Sequence, residues 1–214
     1  NPIVNLNKEL KALIKSIKII LGPDADLANP EFEVDRILEI SDDDMEIMLE
    51  SNIVYDTFYE MIIDLTEGSL EDILVLKPGT DLDKEEMIKF VNSIKVVLDG
   101  GNLSTMESSS FNIDKFIDLT DDEIDTLLDS TLISYSAALQ VDTVLYGDEA
   151  ALGEFVIFES YYDSDRIEEI ESDLGNIIKV IRDLKALGIN YEEFTFESFE
   201  NALTGPDSEG KDEM

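Results

Sequence analysis

Ser41-Asp42-Asp43-Asp44-Met45-Glu46-Ile47-Met48-Leu49-Glu50-Ser51 and Thr120-Asp121-Asp122-Glu123-Ile124-Asp125-Thr126-Leu127-Leu128-Asp129-Ser130 are one passage written twice. In each, a hydroxyl residue is followed three positions later by a carboxylate, which is the capping-box arrangement or its shorter aspartate form. Acidic residues fill the first turn, where they suit the positive end of a helix dipole. Each passage therefore predicts a short capped helix, with Met45, Met48 and Leu49, or Ile124, Leu127 and Leu128, on its apolar side. Ser51 and Ser130 stand 79 positions apart, and so do Gly68 and Gly147, so no insertion falls between these landmarks.

The correspondence continues outward. Upstream, Leu10, Leu13, Ile14, Ile17, Ile20 and Leu21 follow helical spacing, Lys8, Lys11, Lys15 and Lys18 lie off that face, and Gly22-Pro23 ends the run. Met87, Phe90, Val91, Ile94, Val97 and Leu98 do the same before Gly100-Gly101, and Leu174, Ile177, Ile178, Ile181 and Leu184 before Gly188. Three amphipathic helices are expected, with Ile17, Ile94 and Ile181 in like surroundings. Phe32-Glu33-Val34-Asp35-Arg36-Ile37, Phe111-Asn112-Ile113-Asp114-Lys115-Phe116 and Phe194-Thr195-Phe196-Glu197-Ser198-Phe199 follow them, and their alternation reads as extended. Downstream, longer helices are expected to carry Ile53, Val54, Phe58, Met61, Ile62 and Leu65 before Gly68, and Leu132, Ile133, Ala137, Leu139 and Val144 before Gly147. Ile73-Leu74-Val75-Leu76 and Phe155-Val156-Ile157-Phe158 then close the first two units as short β segments. Four residues form no isolated strand, so these runs pair with each other, pair with the phenylalanine segments, or lie as apolar connectors on the helices.

The fold expected is mainly α, a tandem of helical repeats of roughly eighty residues with a minor β component. Two full copies span residues 1–79 and 80–163, a truncated third spans 164–205, and the polar stretch 206–214 reads as a disordered tail. "DDEIDTLLDSTLI", "ILVLKPGTDLDKEEMIKFVNSIKVVL" and "FNIDKFIDL" together resemble the helical tandem-repeat modules of very long, uncharacterised, exported bacterial proteins. The resemblance covers nearly the whole chain and rests on apolar spacings and caps. It implies a repeat array in an extracellular or surface parent protein, and carries no activity, cofactor or catalytic residue. The opening Asn1-Pro2-Ile3, without an initiator methionine, likewise reads as a piece of something longer.

Composition narrows the chemistry. With 214 residues and 43% hydrophobic content the chain can build a substantial core. Lysine and arginine total 15 against 51 aspartates and glutamates, a formal charge of −36. That balance argues against nucleic acid, whose phosphates call for a surplus of cations, and against anionic membrane surfaces. No apolar run approaches the roughly twenty residues that a bilayer span requires. Cysteine and histidine are both absent, which removes disulfides, most zinc sites, imidazole ligation and every serine–histidine or cysteine–histidine nucleophile pair. Gly100-Gly101 lacks the lysine and hydroxyl of a phosphate loop and reads as a helix stop.

Carboxylates are what remain. Asp42, Asp43, Asp121 and Asp122 in the acidic triplets, and Asp24 and Asp26 beside Asn29, are the candidate cation ligands, since calcium takes six to eight hard oxygens. The triplets lack the alternating ligands, the glycine and the closing bidentate glutamate of an EF-hand, and helix capping accounts for them. Tyr55, Phe58, Tyr59, Tyr161 and Tyr162 form the dense aromatic groups, but a sugar platform would call for tryptophan, and there is none. The sequence therefore points to a non-enzymatic structural or interaction module, a spacer or scaffold. Two alternatives stand beside it: an acidic protein that engages a basic partner, and a calcium-stabilised repeat.

Overall fold

The computed structural model describes residues 2–22, 34–68, 70–71, 74–101, 103, 113–146 and 163–189. Among these residues every regular element is helical. They are α1 (Pro2–Leu21), a 3-10 helix η1 (Val34–Glu39), α2 (Asp42–Met48), α3 (Asn52–Glu67), α4 (Lys84–Leu98), α5 (Ile113–Asp118), α6 (Asp121–Leu128), α7 (Thr131–Tyr146) and α8 (Asp163–Ala186).

Local chemistry sets the ends of these helices. The Ser41 hydroxyl accepts the Asp44 N–H at 3.2 Å and starts α2. At α6 the capping box is complete, because Thr120 Oγ1 accepts the Glu123 N–H at 3.3 Å while Glu123 Oε2 accepts the Thr120 N–H at 2.7 Å. Asp83 caps α4 by accepting the Glu86 N–H at 2.9 Å. The stop after α8 is a Schellman motif: the Ile189 N–H reaches the Leu184 carbonyl at 3.0 Å and the Gly188 N–H reaches Lys185 at 3.0 Å. That turn needs φ +78° at Gly188, a region that side chains disfavour.

Short helices cannot stand alone, so packing decides the fold. The segment η1–α2–α3 and the segment α5–α6–α7 each form a helical corner. Helix α1 lies on η1, α2 and α3; α4 lies between the two corners, touching η1, α2 and α3 on one side and α6 and α7 on the other; and α8 lies on α5, α6 and α7. One continuous apolar cluster joins them. Met87, Phe90, Val91, Ile94 and Val97 of α4 are buried in it, as are Leu174, Ile177, Ile178, Ile181 and Leu184 of α8. Each side chain buried in this way contributes about 1.5–3 kcal/mol.

The leading helix α1 departs from expectation. Its helix forms, but Leu10, Ile14 and Ile17 are 52%, 45% and 40% exposed, and the side it buries carries Ala12 and Ser16. Ile94 and Ile181, by contrast, are only 4% and 1% exposed. The difference has a plain geometric cause: α4 and α8 each have a corner behind them in the chain, and α1 has none among the described residues.

The β segments need correction. No strand occurs among the described residues, and residues 74–76 lie as a connector. The Leu74 N–H turns back to the Leu70 carbonyl at 2.7 Å, and the next peptide unit is satisfied by a side chain. Ser136 Oγ on α7 accepts the Val75 N–H at 2.9 Å and lies 3.3 Å from the Val75 carbonyl. A single hydroxyl thus stands where a neighbouring strand would otherwise be needed. The described parts of the first two phenylalanine segments, 34–37 and 113–116, are not extended either, since Val34–Glu39 is a 3-10 helix and Ile113–Asp118 an α-helix. The second β run at 155–158, the phenylalanine segment at 194–199 and the tail 206–214 lie outside the described residues.

Replacing Ser136 by alanine leaves both polar groups of Val75 without this partner in a partly buried site. Urea denaturation is expected to show a loss of about 1–3 kcal/mol; an unchanged midpoint would mean that the connector is not held by this hydroxyl.

Candidate functional site

The polar side chains that the core cannot leave to water gather where helices meet corners. They form two kinds of junction, and each kind occurs twice.

The first joins a leading helix to the corner after it. Glu9 of α1 aims its carboxylate at the start of α3: Oε1 accepts from Ser51 Oγ at 2.7 Å and from the Ile53 N–H at 3.2 Å, and Oε2 accepts from the Asn52 N–H at 3.0 Å. Glu86 of α4 does the same for α7, with Oε1 accepting from Ser130 Oγ at 2.9 Å and from the Leu132 N–H at 3.0 Å. A carboxylate there meets unpaired N–H groups and the positive end of the helix dipole, so the charge is stabilised as it is buried. The bond from Ser51, followed by those from Asn52 and Ile53, holds the Glu9 carboxyl below its ordinary range. Two helical turns on, Ser16 Oγ reaches the carbonyls of Ala12 at 2.9 Å and Met48 at 3.2 Å. Ser93 Oγ reaches those of Lys89 at 2.9 Å and Leu127 at 3.5 Å. Ser16, Ser51, Ser93 and Ser130 are all fully buried.

The second junction joins a leading helix to the corner before it. Lys95 Nζ of α4 donates to the Ile40 carbonyl at 2.7 Å, and Asn92 Nδ2 donates to both carboxylate oxygens of Asp42 at 3.0 and 3.2 Å. On α8, Arg182 Nη2 donates to the Leu119 carbonyl at 2.5 Å and Nη1 to Asp121 Oδ1 at 2.8 Å, while Lys179 Nζ lies 3.7 Å from Asp121 Oδ2. The carbonyls follow η1 and α5, and the aspartates open α2 and α6, so α4 and α8 each clamp the bend of the corner before them. Burial pushes the Lys95 ammonium down, with Asp42 acting in the opposite sense. The Arg182 hydrogen bond, helped by Lys179, holds the Asp121 carboxyl below its ordinary range.

Of the candidate cation ligands, Asp42 and Asp121 are therefore engaged in these clamps. Asp43 and Asp122 point to solvent in the first turns of α2 and α6. Asp24 and Asp26 lie outside the described residues. Among the described residues no three acidic side chains are gathered to hold a metal ion. An open groove between α2, α4 and α6 is lined by Asp42, Glu46, Glu50 and Asp129, with Lys84 and Lys89 among them. No helix of the described residues is long and apolar enough to cross a membrane.

The junction residues Glu9, Ser16, Glu86 and Ser93 were not singled out by the sequence patterns, although a signal exists. In both α1 and α4 a glutamate precedes a serine by seven positions, which places the pair on one face two turns apart. No protein-family model, curated protein or solved structure matches the chain. The functional reading accordingly rests on these junctions.

Glu86→Ala removes the acceptor of two buried donors and is expected to cost about 1–3 kcal/mol in urea denaturation; Glu9→Ala, at a wetter site, should act in the same direction and less. Equal and negligible losses would show that the carboxylates do not hold the corners. Asp121 makes a pH test. Its folded-state value is depressed, so its contribution is complete above the ordinary value of 3.8 and is lost as pH falls through the lower folded value. The difference in Tm between the chain and its Asp121→Asn variant should be largest near neutral pH and close in acid; a gap that is constant with pH would contradict the clamp.

Proposed function

We propose that this chain is a non-enzymatic structural module, a spacer or scaffold of a larger exported or surface protein, built from helical repeats of roughly eighty residues that stack through their leading helices. The observation that carries this reading is the recurrence of the junctions in register. Ser51 with Ser130, Met48 with Leu127, Ile40 with Leu119 and Asp42 with Asp121 each stand 79 positions apart and play matching parts. A protein organised to do chemistry places its polar groups toward a cleft that a substrate can enter. Here the buried serine hydroxyls bond carbonyls or glutamates, and Glu9 and Glu86 bond helix starts, while Glu169 Oε2 is buried without a hydrogen-bond partner among the described residues. What they accomplish is to fix the rotation and spacing of one helical unit on the next, which is the task of a spacer.

The abundance of carboxylates fits the same role. Exposed carboxylates lie on α2, α3, α6 and α8, where they keep an array of apolar-cored units dispersed in water. The exported setting follows from the resemblance to exported tandem-repeat proteins and has no separate support.

The purified chain is expected to turn over none of a broad panel of glycoside, peptide and ester substrates. Turnover that disappears on alanine substitution of a small set of carboxylates would overturn the proposal.

A further inference from the structure

We infer that the outer face of α1 is a docking surface for another helical corner of the same construction as η1–α2–α3. The inference rests on the stacking reading above and names the partner that one end of the stack accepts.

Three independent features, two on that face and one on the adjoining α3, match features that are already occupied further along the chain. The first is apolar. Leu10, Ile14 and Ile17 occupy the helical positions that Met87, Val91 and Ile94 occupy in α4, and Leu174, Ile178 and Ile181 in α8. All six of the latter are buried, with a preceding corner packed on each helix, whereas the three on α1 form an exposed stripe that Leu6 extends. Singly exposed apolar residues are ordinary, but a continuous stripe along one helix marks an interaction surface.

The second feature is charge. Lys18 stands at the position of Lys95 and Arg182, whose nitrogens bind the carbonyls of Ile40 and Leu119. Lys15 stands at the position of Asn92 and Lys179, which bind or face the first-turn aspartates Asp42 and Asp121. Both α1 lysines are exposed, and neither meets a carbonyl or carboxylate among the described residues. In a chain this acidic, two cations beside an apolar stripe suit a partner whose bend offers carbonyl oxygens and a capping aspartate.

The third feature lies on α3. Thr57 stands 79 positions before Ser136, and both hydroxyls bond the carbonyl four residues back, at 2.8 Å to Ile53 and 2.7 Å to Leu132. Ser136 also holds the connector at Val75, and Leu132 is fully buried. Thr57 and Ile53 are exposed, as a seat for an equivalent connector would be. The partner is therefore a corner followed by an apolar connector, the same sequence of parts that precedes α4. The two described corners of this chain are already covered by α4 and α8, so a second copy cannot offer either of them.

The test adds a unit in register. Residues 1–79 are duplicated ahead of Ile3 of the full chain, so that the added Gly79 runs into Ile3 as Gly79 runs into Thr80 in the chain itself. Amide hydrogen exchange in the original α1 should slow by at least about tenfold, as for amides moved from an open face into a packed one. Lys18→Glu in that original α1 should reverse most of the gain. Unchanged exchange in α1 of the extended chain overturns the docking inference. The stacking reading is tested separately by Ile94→Asp and Ile181→Asp in the unextended chain. If both leave α4 and α8 as protected as before, stacking itself fails; if they expose those helices while α1 gains nothing from the added unit, only the docking inference falls.

Discussion

The structure depends on a leading helix, α4, that is held on two sides. Helix α4 shows the arrangement in full: Glu86 and Ser93 grip the corner ahead of it, Lys95 and Asn92 grip the corner behind it, and the apolar residues between them fill the space the two corners enclose. The corners are built from helices too short to persist in isolation, so they exist because α4 completes them. Apolar burial supplies most of the free energy, but it is indifferent to rotation about the helix axis. The buried polar contacts supply what burial lacks, since a Glu86 turned away from Ser130 would leave donors in the core without partners.

Much of the helical architecture was legible in the sequence because it follows from rules that act over a few residues. The capped segments at Ser41 and Thr120, the glycine stop at Gly188 and the periodic faces of α4 and α8 all obey such rules, and the structure follows them. The first β segment failed for a tertiary reason. Residues 74–76 have strand-like composition, yet their hydrogen-bonding partner is a serine hydroxyl on α7, 61 residues away, which no local pattern announces. The first two phenylalanine segments failed on period: over six residues, alternation and helical spacing overlap, and packing against α1, α4 and α8 accompanies the helical form.

The candidate site was less legible than the fold. Asp42 and Asp121 stood out as members of acidic clusters, and in the structure both are ends of clamps. Glu9, Ser16, Glu86 and Ser93 escaped notice because a glutamate or serine on a helix is ordinarily a solvated residue, and only the corner placed against it makes it an anchor. The exposed stripe on α1 was read as core for the converse reason. Periodicity marks an apolar face and says nothing about whether a covering element is at hand, and on α1 that face is exposed.

The account's central claim is that a leading helix is stabilised by the corners packed on it, two for α4 and one each for α1 and α8 among the described residues. Residue-resolved amide exchange of the full chain under native conditions measures it most directly. The account predicts that α4, clasped by two corners, is the slowest-exchanging helix and that α1, covered on one side among the described residues, exchanges faster by a wide margin. Equal protection of α1 and α4, or opening of α4 before α1, would contradict it.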